Sequence, residues 1–129
     1  MGNLTKNFYV KEFSCKCGCG LNIIQRETVV RSQMYRDAIG SPAISTSGTR
    51  CKKHNVLEGG AENSLHLCGW ADDMEFPYTT IDHVYYEAYK LWLTLPYGGL
   101  IFYDWGIHQD IGVHRFIDKR VLNKGVSYV

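Results

Sequence analysis

The sequence predicts a small single α+β domain with a central, mainly antiparallel sheet flanked by helices. Three observations carry this expectation. Two long stretches place apolar residues at helical spacing, several short runs read as strands, and 129 residues leave room for a single core. Their order is helix, strand, irregular stretch, strand, helix, strand, strand, which is that of an α+β domain.

Residues 1–20 read as an N-terminal arm and a Gly/Cys loop, ahead of a domain expected over 13–129. From Asn22 to Ile39, Ile23, Val30, Met34 and Ala38, with Ile24 and Ile39 beside them, predict a helix. Asn22 is placed as its N-cap, Gln25 at the capping-box position and Gly40 past its last turn. Ala43–Thr46 follows the Ser41-Pro42 turn as a short strand. Residues 47–64 are polar and glycine-bearing without periodicity, so this stretch is either disordered or functional. Trp70–Met74 reads as a strand. Thr80 caps a second helix that ends before Pro96 and buries Val84, Ala88, Leu91, Trp92 and Leu95. Leu100–Tyr103 and Ile107–Ile111 read as strands joined in a hairpin across Asp104-Trp105-Gly106.

Composition excludes several function classes. The 14 Lys+Arg against 13 Asp+Glu leave a net charge of +1, so no basic footprint argues for nucleic acid. No apolar run approaches the roughly 20 residues of a membrane span. Met1 to Cys15 carries Lys6 and Lys11 and lacks the apolar region of a signal peptide, so synthesis in the cytoplasm is expected, with no membrane insertion and a monomeric state.

Five cysteines cannot all pair within one chain. Cys15, Cys17 and Cys19 alternate, while Cys51 and Cys68 lie far away. Without a secretion signal, disulfides are not the default. Three closely spaced thiols and Cys51 could share a metal, although the usual structural zinc spacing is C-x2-4-C. Metal ligands, disulfides and free thiols all stay open on the sequence.

Histidines and carboxylates gather in two segments, Ser64–Asp73 and Tyr103–Asp110. For His66 and Asp73 to share a zinc ion, their ligand atoms must both lie roughly 2.0–2.2 Å from it. A helix would separate them by about 10 Å and a strand by about 23 Å. The chain must therefore fold back between them, and Gly69 is free to adopt the dihedrals of such a turn. On the strand that follows, Asp73 and Asp72 point to opposite faces. His108 could supply a third ligand from the hairpin.

The run Ser47-Gly48-Thr49-Arg50, then His54-Asn55, Gly59-Gly60 and Ser64-Leu65-His66-Leu67-Cys68-Gly69-Trp70-Ala71-Asp72-Asp73 resembles the core signature of the M15 zinc peptidases. Gly98-Gly99-Leu100-Ile101-Phe102-Tyr103 and His108-Gln109-Asp110 resemble its second half, and the likeness spans roughly residues 13–118. The Phe13–Gly20 segment and Cys51 are similar to features of phage-encoded members, which implies a small, phage-type enzyme. The family comprises D-alanyl-D-alanine carboxypeptidases, L,D-carboxypeptidases and phage endolysins that cut L-alanyl–D-glutamate bonds, all acting on peptidoglycan stem peptides. The resemblance implies one catalytic zinc ion on His66, Asp73 and His108, activating water and polarising the scissile carbonyl. It further implies that Arg50 pairs with a substrate carboxylate and that Ser64 lies beside substrate and metal.

One position departs from the pattern. Many members carry Glu or Asp three residues before the last zinc histidine as general base, and Trp105 stands there. Asp104 is the expected base. Asp110 is the alternative, or else it orients the His108 ring. His54 is expected to hold the irregular loop, His83 to be solvated and His114 to follow the site without ligating. Trp92 and Tyr97 read as core, whereas Trp70 and Trp105 either pack the core or wall a cleft.

Together these features imply a zinc peptidase that cuts peptidoglycan stem peptides and reaches the wall after release or within a phage particle. The alternative is a cell-wall binding module that keeps the fold, and with it zinc, but not hydrolysis. A deaminase-like or nuclease enzyme lacks its residue signature.

Overall fold

A computed structural model describes residues 2–121. The expected arm starts one residue before this span, and the last residues of the expected domain, 122–129, lie outside it. The chain forms α1 (Arg26–Ile39), β1 (Ile44–Ser47), α2 (Lys52–Leu57), β2 (Ala71–Glu75), α3 (Ile81–Thr94), β3 (Gly99–Tyr103), β4 (Gly106–Asp110) and β5 (Arg115–Asp118), with 3-10 turns at Val10–Phe13 and Leu65–Cys68. The strands lie in one sheet of order β1-β2-β4-β3-β5. Every pairing is antiparallel except β3 with β5, so the architecture is the expected α+β domain.

Alternation along the strands divides the sheet into two faces. Met74, Leu100, Phe102 and Ile107 are buried on the face covered by α1 and α3, together with Val84, Ala88 and Trp92 from α3. The second helix therefore follows its apolar pattern, and Thr80 caps it by accepting the His83 N–H. Asp73, His108 and Ile101 stand on the opposite face, which no long helix among the described residues covers.

Helix α1 departs from its pattern. Its N-cap is Gln25, and Asn22 instead donates to the Val10 carbonyl at 2.8 Å. Val30 and Met34 are exposed, as is Ile23 in the segment before the helix, while Thr28, Val29, Ser32, Gln33, Tyr35 and Ile39 turn inward. The reason is what lies beneath the helix. Asp72 and Gln109 are fully buried neighbours on β2 and β4 and require hydrogen-bonding partners. Ser32 donates to Asp72 Oδ2 at 2.6 Å, and Gln109 Nε2 donates to the Thr28 carbonyl at 3.0 Å and to Ser32 Oγ at 2.9 Å.

The irregular stretch 47–64 contains a short helix that periodicity did not indicate, α2, capped by Cys51. Strand β1 carries a further irregularity. Ser45 opposes Met74 and Ser47 opposes Asp73, so Thr46 is an extra residue in a bulge. Ser45 consequently reaches the helix side, donating to Asp72 Oδ1 at 2.5 Å, while Ser47 stands on the open side.

Candidate metal centre

The backbone does fold back between His66 and Asp73. Ser64 caps the 3-10 turn Leu65–Cys68 by accepting the His66 N–H at 3.2 Å, and Gly69 ends it at φ 75°. A Cβ on Gly69 would lie 2.1 Å from the Ile23 carbonyl oxygen, so no other residue fits there without displacement. Asp73 and His108 are direct partners across β2 and β4. His66, Asp73 and His108 are all buried, and each offers a ligand atom within 4.8 Å of the other two.

The ring nitrogens are already sorted. His66 Nδ1–H donates to the Gly48 carbonyl at 2.8 Å, which leaves Nε2 facing Asp73 Oδ1 at 3.3 Å. His108 Nε2–H donates to Asp110 Oδ2 at 2.8 Å, which leaves Nδ1 2.9 Å from the same Asp73 oxygen. Two imidazole nitrogens and one carboxylate oxygen thus converge, and each ring is fixed from behind, an arrangement that fits a zinc ion.

The electrostatics agree. Burial alone would raise the Asp73 pKa, but hydrogen bonds from His108 and His66 outweigh it and hold the carboxyl well below the usual carboxylate range. Burial would lower the His108 pKa, yet its bonds to Asp110 and Asp73 push it up to about 9, so without metal the ring is an imidazolium clamped between two carboxylates.

Arg50 is buried, and its guanidinium is held inside the protein. Nε donates to Ser47 Oγ at 2.8 Å, Nη1 to Asn55 Oδ1 at 3.2 Å and Nη2 to Asp73 Oδ2 at 3.1 Å. Asp73 therefore turns one oxygen to the histidines and the other to Arg50. Arg50, Ser64, His66 and His108 line a cleft of about 590 Å³, with Trp70, Arg115 and Lys119 also on its wall.

Asp104, the expected base, does not join this group. It sits exposed at the β3–β4 turn, where its carboxylate accepts the Val121 N–H at 2.9 Å, and its charge is felt by Tyr85, which packs on the helix side against Phe102. Strand alternation explains this, because Tyr103 and Trp105 take the open side. Asp110 does reach the site. Its Oδ1 accepts from Gly99 N and Gly112 N and its Oδ2 from His108, so it orients the ring.

The other histidines lie elsewhere. His114 stacks on Trp92 with centroids 4.0 Å apart and bonds to the Trp92 carbonyl, as expected of a non-ligand. His83 is exposed, but its Nε2 also caps α1 by donating to the Ile39 carbonyl at 2.8 Å. His54 lies on α2, 3.9 Å from Glu58. Trp70 and Trp105 border hollows, whereas Tyr97, expected in the core, is exposed with its hydroxyl on Glu27.

Several contributors had no assigned role in the sequence. Ser47, Gly48 and Asn55 were visible as motif positions, but their purpose, holding Arg50 and His66, depends on contacts the motif does not display. Glu75 gave no signal. It lies on the Asp73 face of β2 and lines a second hollow of about 400 Å³ with Asp73, Tyr103 and Trp105.

Comparison of the sequence with curated proteins returns no match. The sequence model of the family Peptidase M15 matches residues 6–91, a span that holds Arg50, Ser64, His66 and Asp73. His108 lies beyond it and joins the group by geometry. With two thirds of its length matched, and with His66, Asp73 and His108 brought together, the chain belongs to the peptidase M15 family.

Proposed function

We propose that the chain is a zinc peptidase that hydrolyses peptide bonds in the stem peptides of bacterial peptidoglycan, acting on the wall after release from a host cell or within a phage particle. One observation carries the reading: two imidazoles that line an open cleft converge with a buried carboxylate, in a chain of a peptidase family. A zinc ion held by His66, Asp73 and His108 would supply Lewis-acid polarisation of a peptide carbonyl and activation of water.

The protein's own residues supply orientation, recognition and proton transfer. Gly48 and Asp110 fix the two rings. Arg50 retains N–H groups beyond those used on Ser47, Asn55 and Asp73, and these would take a substrate carboxylate. Arg115 and Lys119 in the cleft wall favour an acidic peptide, and Trp70 offers it an apolar surface. The carboxylate missing at position 105 is supplied by Glu75. The β2–β4 register places Glu75 next to Gly106 on the open face, in the hollow shared with Asp73 and Trp105. It would take a proton from the attacking water and return it to the leaving amine.

Incubation with purified murein, with and without chelator, tests the reading. Chelator-sensitive release of peptide fragments is expected, and their masses identify the bond cut and the polarity of attack. The occupied carboxylate of Asp110 and the tryptophan at position 105 favour a second reading, a wall-binding module without hydrolysis. Co-sedimentation with sacculi that stay intact would establish that reading in place of the first.

A further inference from the structure

A second group of side chains outside this cleft has the geometry of a metal site. Cys15, Cys17, Cys19 and Cys51 each present a sulfur within 4.8 Å of the other three. Cys15 and Cys17 Sγ are 3.4 Å apart, and Cys17 and Cys51 Sγ are 3.7 Å apart. A zinc ion at the centre of a tetrahedron of thiolates, with Zn–S bonds near 2.3 Å, sets its sulfurs about 3.8 Å apart. A Cys15–Cys17 or a Cys17–Cys51 disulfide would engage only two of the four sulfurs, whereas one ion engages all four.

Local backbone explains how an alternating run of cysteines achieves this. In a strand, Cys15, Cys17 and Cys19 would point to one side in a row too long to share an ion. Here Gly18 and Gly20 both adopt left-handed conformations, at φ 85° and 86°. The loop curls back so that Gly18 N–H donates to the Cys15 carbonyl and Cys15 N–H to the Leu21 carbonyl. The sulfurs also receive backbone donors, Cys51 N–H to Cys15 Sγ and His54 N–H to Cys51 Sγ, each at 3.4 Å. Such donors relieve the negative charge of a tetrathiolate, and Lys16, Lys52 and Lys53 adjoin the ligands in sequence.

We infer that Cys15, Cys17, Cys19 and Cys51 form a structural zinc site, separate from the His66–Asp73–His108 centre, that fastens the N-terminal loop to the backbone at Arg50. Cys51 follows Arg50 directly, and Thr49, on its other side, donates its N–H to the Phe13 carbonyl at 2.9 Å. The N-terminal loop thus grips the chain on both sides of the arginine that holds Asp73. Four soft sulfur ligands in a closed shell select zinc in a structural role.

The test uses the full-length chain purified under reducing conditions. Metal analysis should give two zinc ions per chain, one of them released when an organomercurial titrates the thiols. Replacement by cobalt(II) should produce a sulfur-to-cobalt charge-transfer band in the near ultraviolet, which histidine and carboxylate ligands do not give. The double variant Cys17→Ser/Cys19→Ser should lose that band and one ion; should it fail to fold, the native chain's band and mercurial release still decide. One ion per chain with the charge-transfer band supports the cysteine site and counts against the histidine centre. Absence of the band from the cobalt-loaded native chain, or a Cys15, Cys17, Cys19 or Cys51 disulfide in the reduced preparation, overturns the inference and leaves the peptidase reading untouched.

Discussion

Asp72 and Asp73 are consecutive on β2, yet the sheet sends them to opposite faces with opposite electrostatic outcomes. Asp72 lies under α1, fully buried, with Ser32 and Ser45 as its partners. Burial pushes its pKa up to about 7, against the lowering effect of the two hydroxyls. Asp73 is almost as buried, but it faces two imidazoles and a guanidinium, which keep it ionised. Depth alone therefore does not decide whether a carboxylate can serve a metal. The partners do, and they are distributed by face: neutral hydroxyls beneath the helix, cationic and ring-nitrogen groups beside the cleft.

The comparison can be broken most forcefully on the open face. His66→Ala, Asp73→Ala and His108→Ala should each empty the centre of zinc and cost more activity than the roughly 10–100-fold typical of an outer partner's loss. Metal content and murein release measure both.

Glu75→Gln should lower turnover by about 10²–10⁴-fold with zinc retained, the signature of a lost proton acceptor. Full turnover in this variant would remove Glu75 from the reaction.

Asp110→Asn should weaken zinc binding by roughly 10–100-fold. It also carries a sign. Below the His108 pKa of about 9, zinc must displace a proton, so its affinity should fall by about tenfold per pH unit on acidification. Loss of the Asp110 charge lowers that pKa, and the inflection in zinc affinity against pH should move down with it.

On the helix face the effects are smaller. The Asp72 pKa is higher folded than unfolded, so its contribution to stability is complete below about 3.8 and is lost as pH rises through about 7. Over that interval the slope reaches at most about 1.4 kcal/mol per pH unit. Asp72→Asn should flatten it in chelator-treated protein, measured by denaturant unfolding at several pH values.

The smallest change expected is for His114→Ala. It removes a stacked ring worth about 0.5–1.5 kcal/mol and should leave zinc content intact.

The sequence disclosed these regions unevenly. Helix α3 and the β3–β4 hairpin were legible because apolar burial alone drives them, and apolar periodicity is what a sequence displays. The grouping of His66, Asp73 and His108 was legible because a resemblance fixed their order. Helix α1 was misread because its inner face serves Asp72 and Gln109, so the residues it buries are chosen for hydroxyl and carbonyl groups that a hydrophobic pattern ignores. Asp104 lies apart from the group for a related reason. Proximity in sequence to His108 suggested reach, while strand alternation turned its side chain toward the helices. Helix α2 is too short to show a period and is anchored instead by Cys51 and by Asn55, which binds Arg50 and the Ala61 carbonyl.

The bulge at Thr46 has a consequence for how this chain can vary. Ser45 and Ser47 are two residues apart and in a regular strand would share a face, yet each serves a different aspartate's side of the sheet. The single surplus residue acts as a phase shifter between them. With residue 46 present, a regular ladder through Ser45–Ser47 would turn both serines to one face, so one of them would lose its partner; deleting Thr46 would instead make them adjacent and leave them opposite Met74 and Asp73 on opposite faces. Length and phase are therefore coupled in this four-residue strand: as long as residue 46 is present, the bulge is what keeps the two serines on different faces.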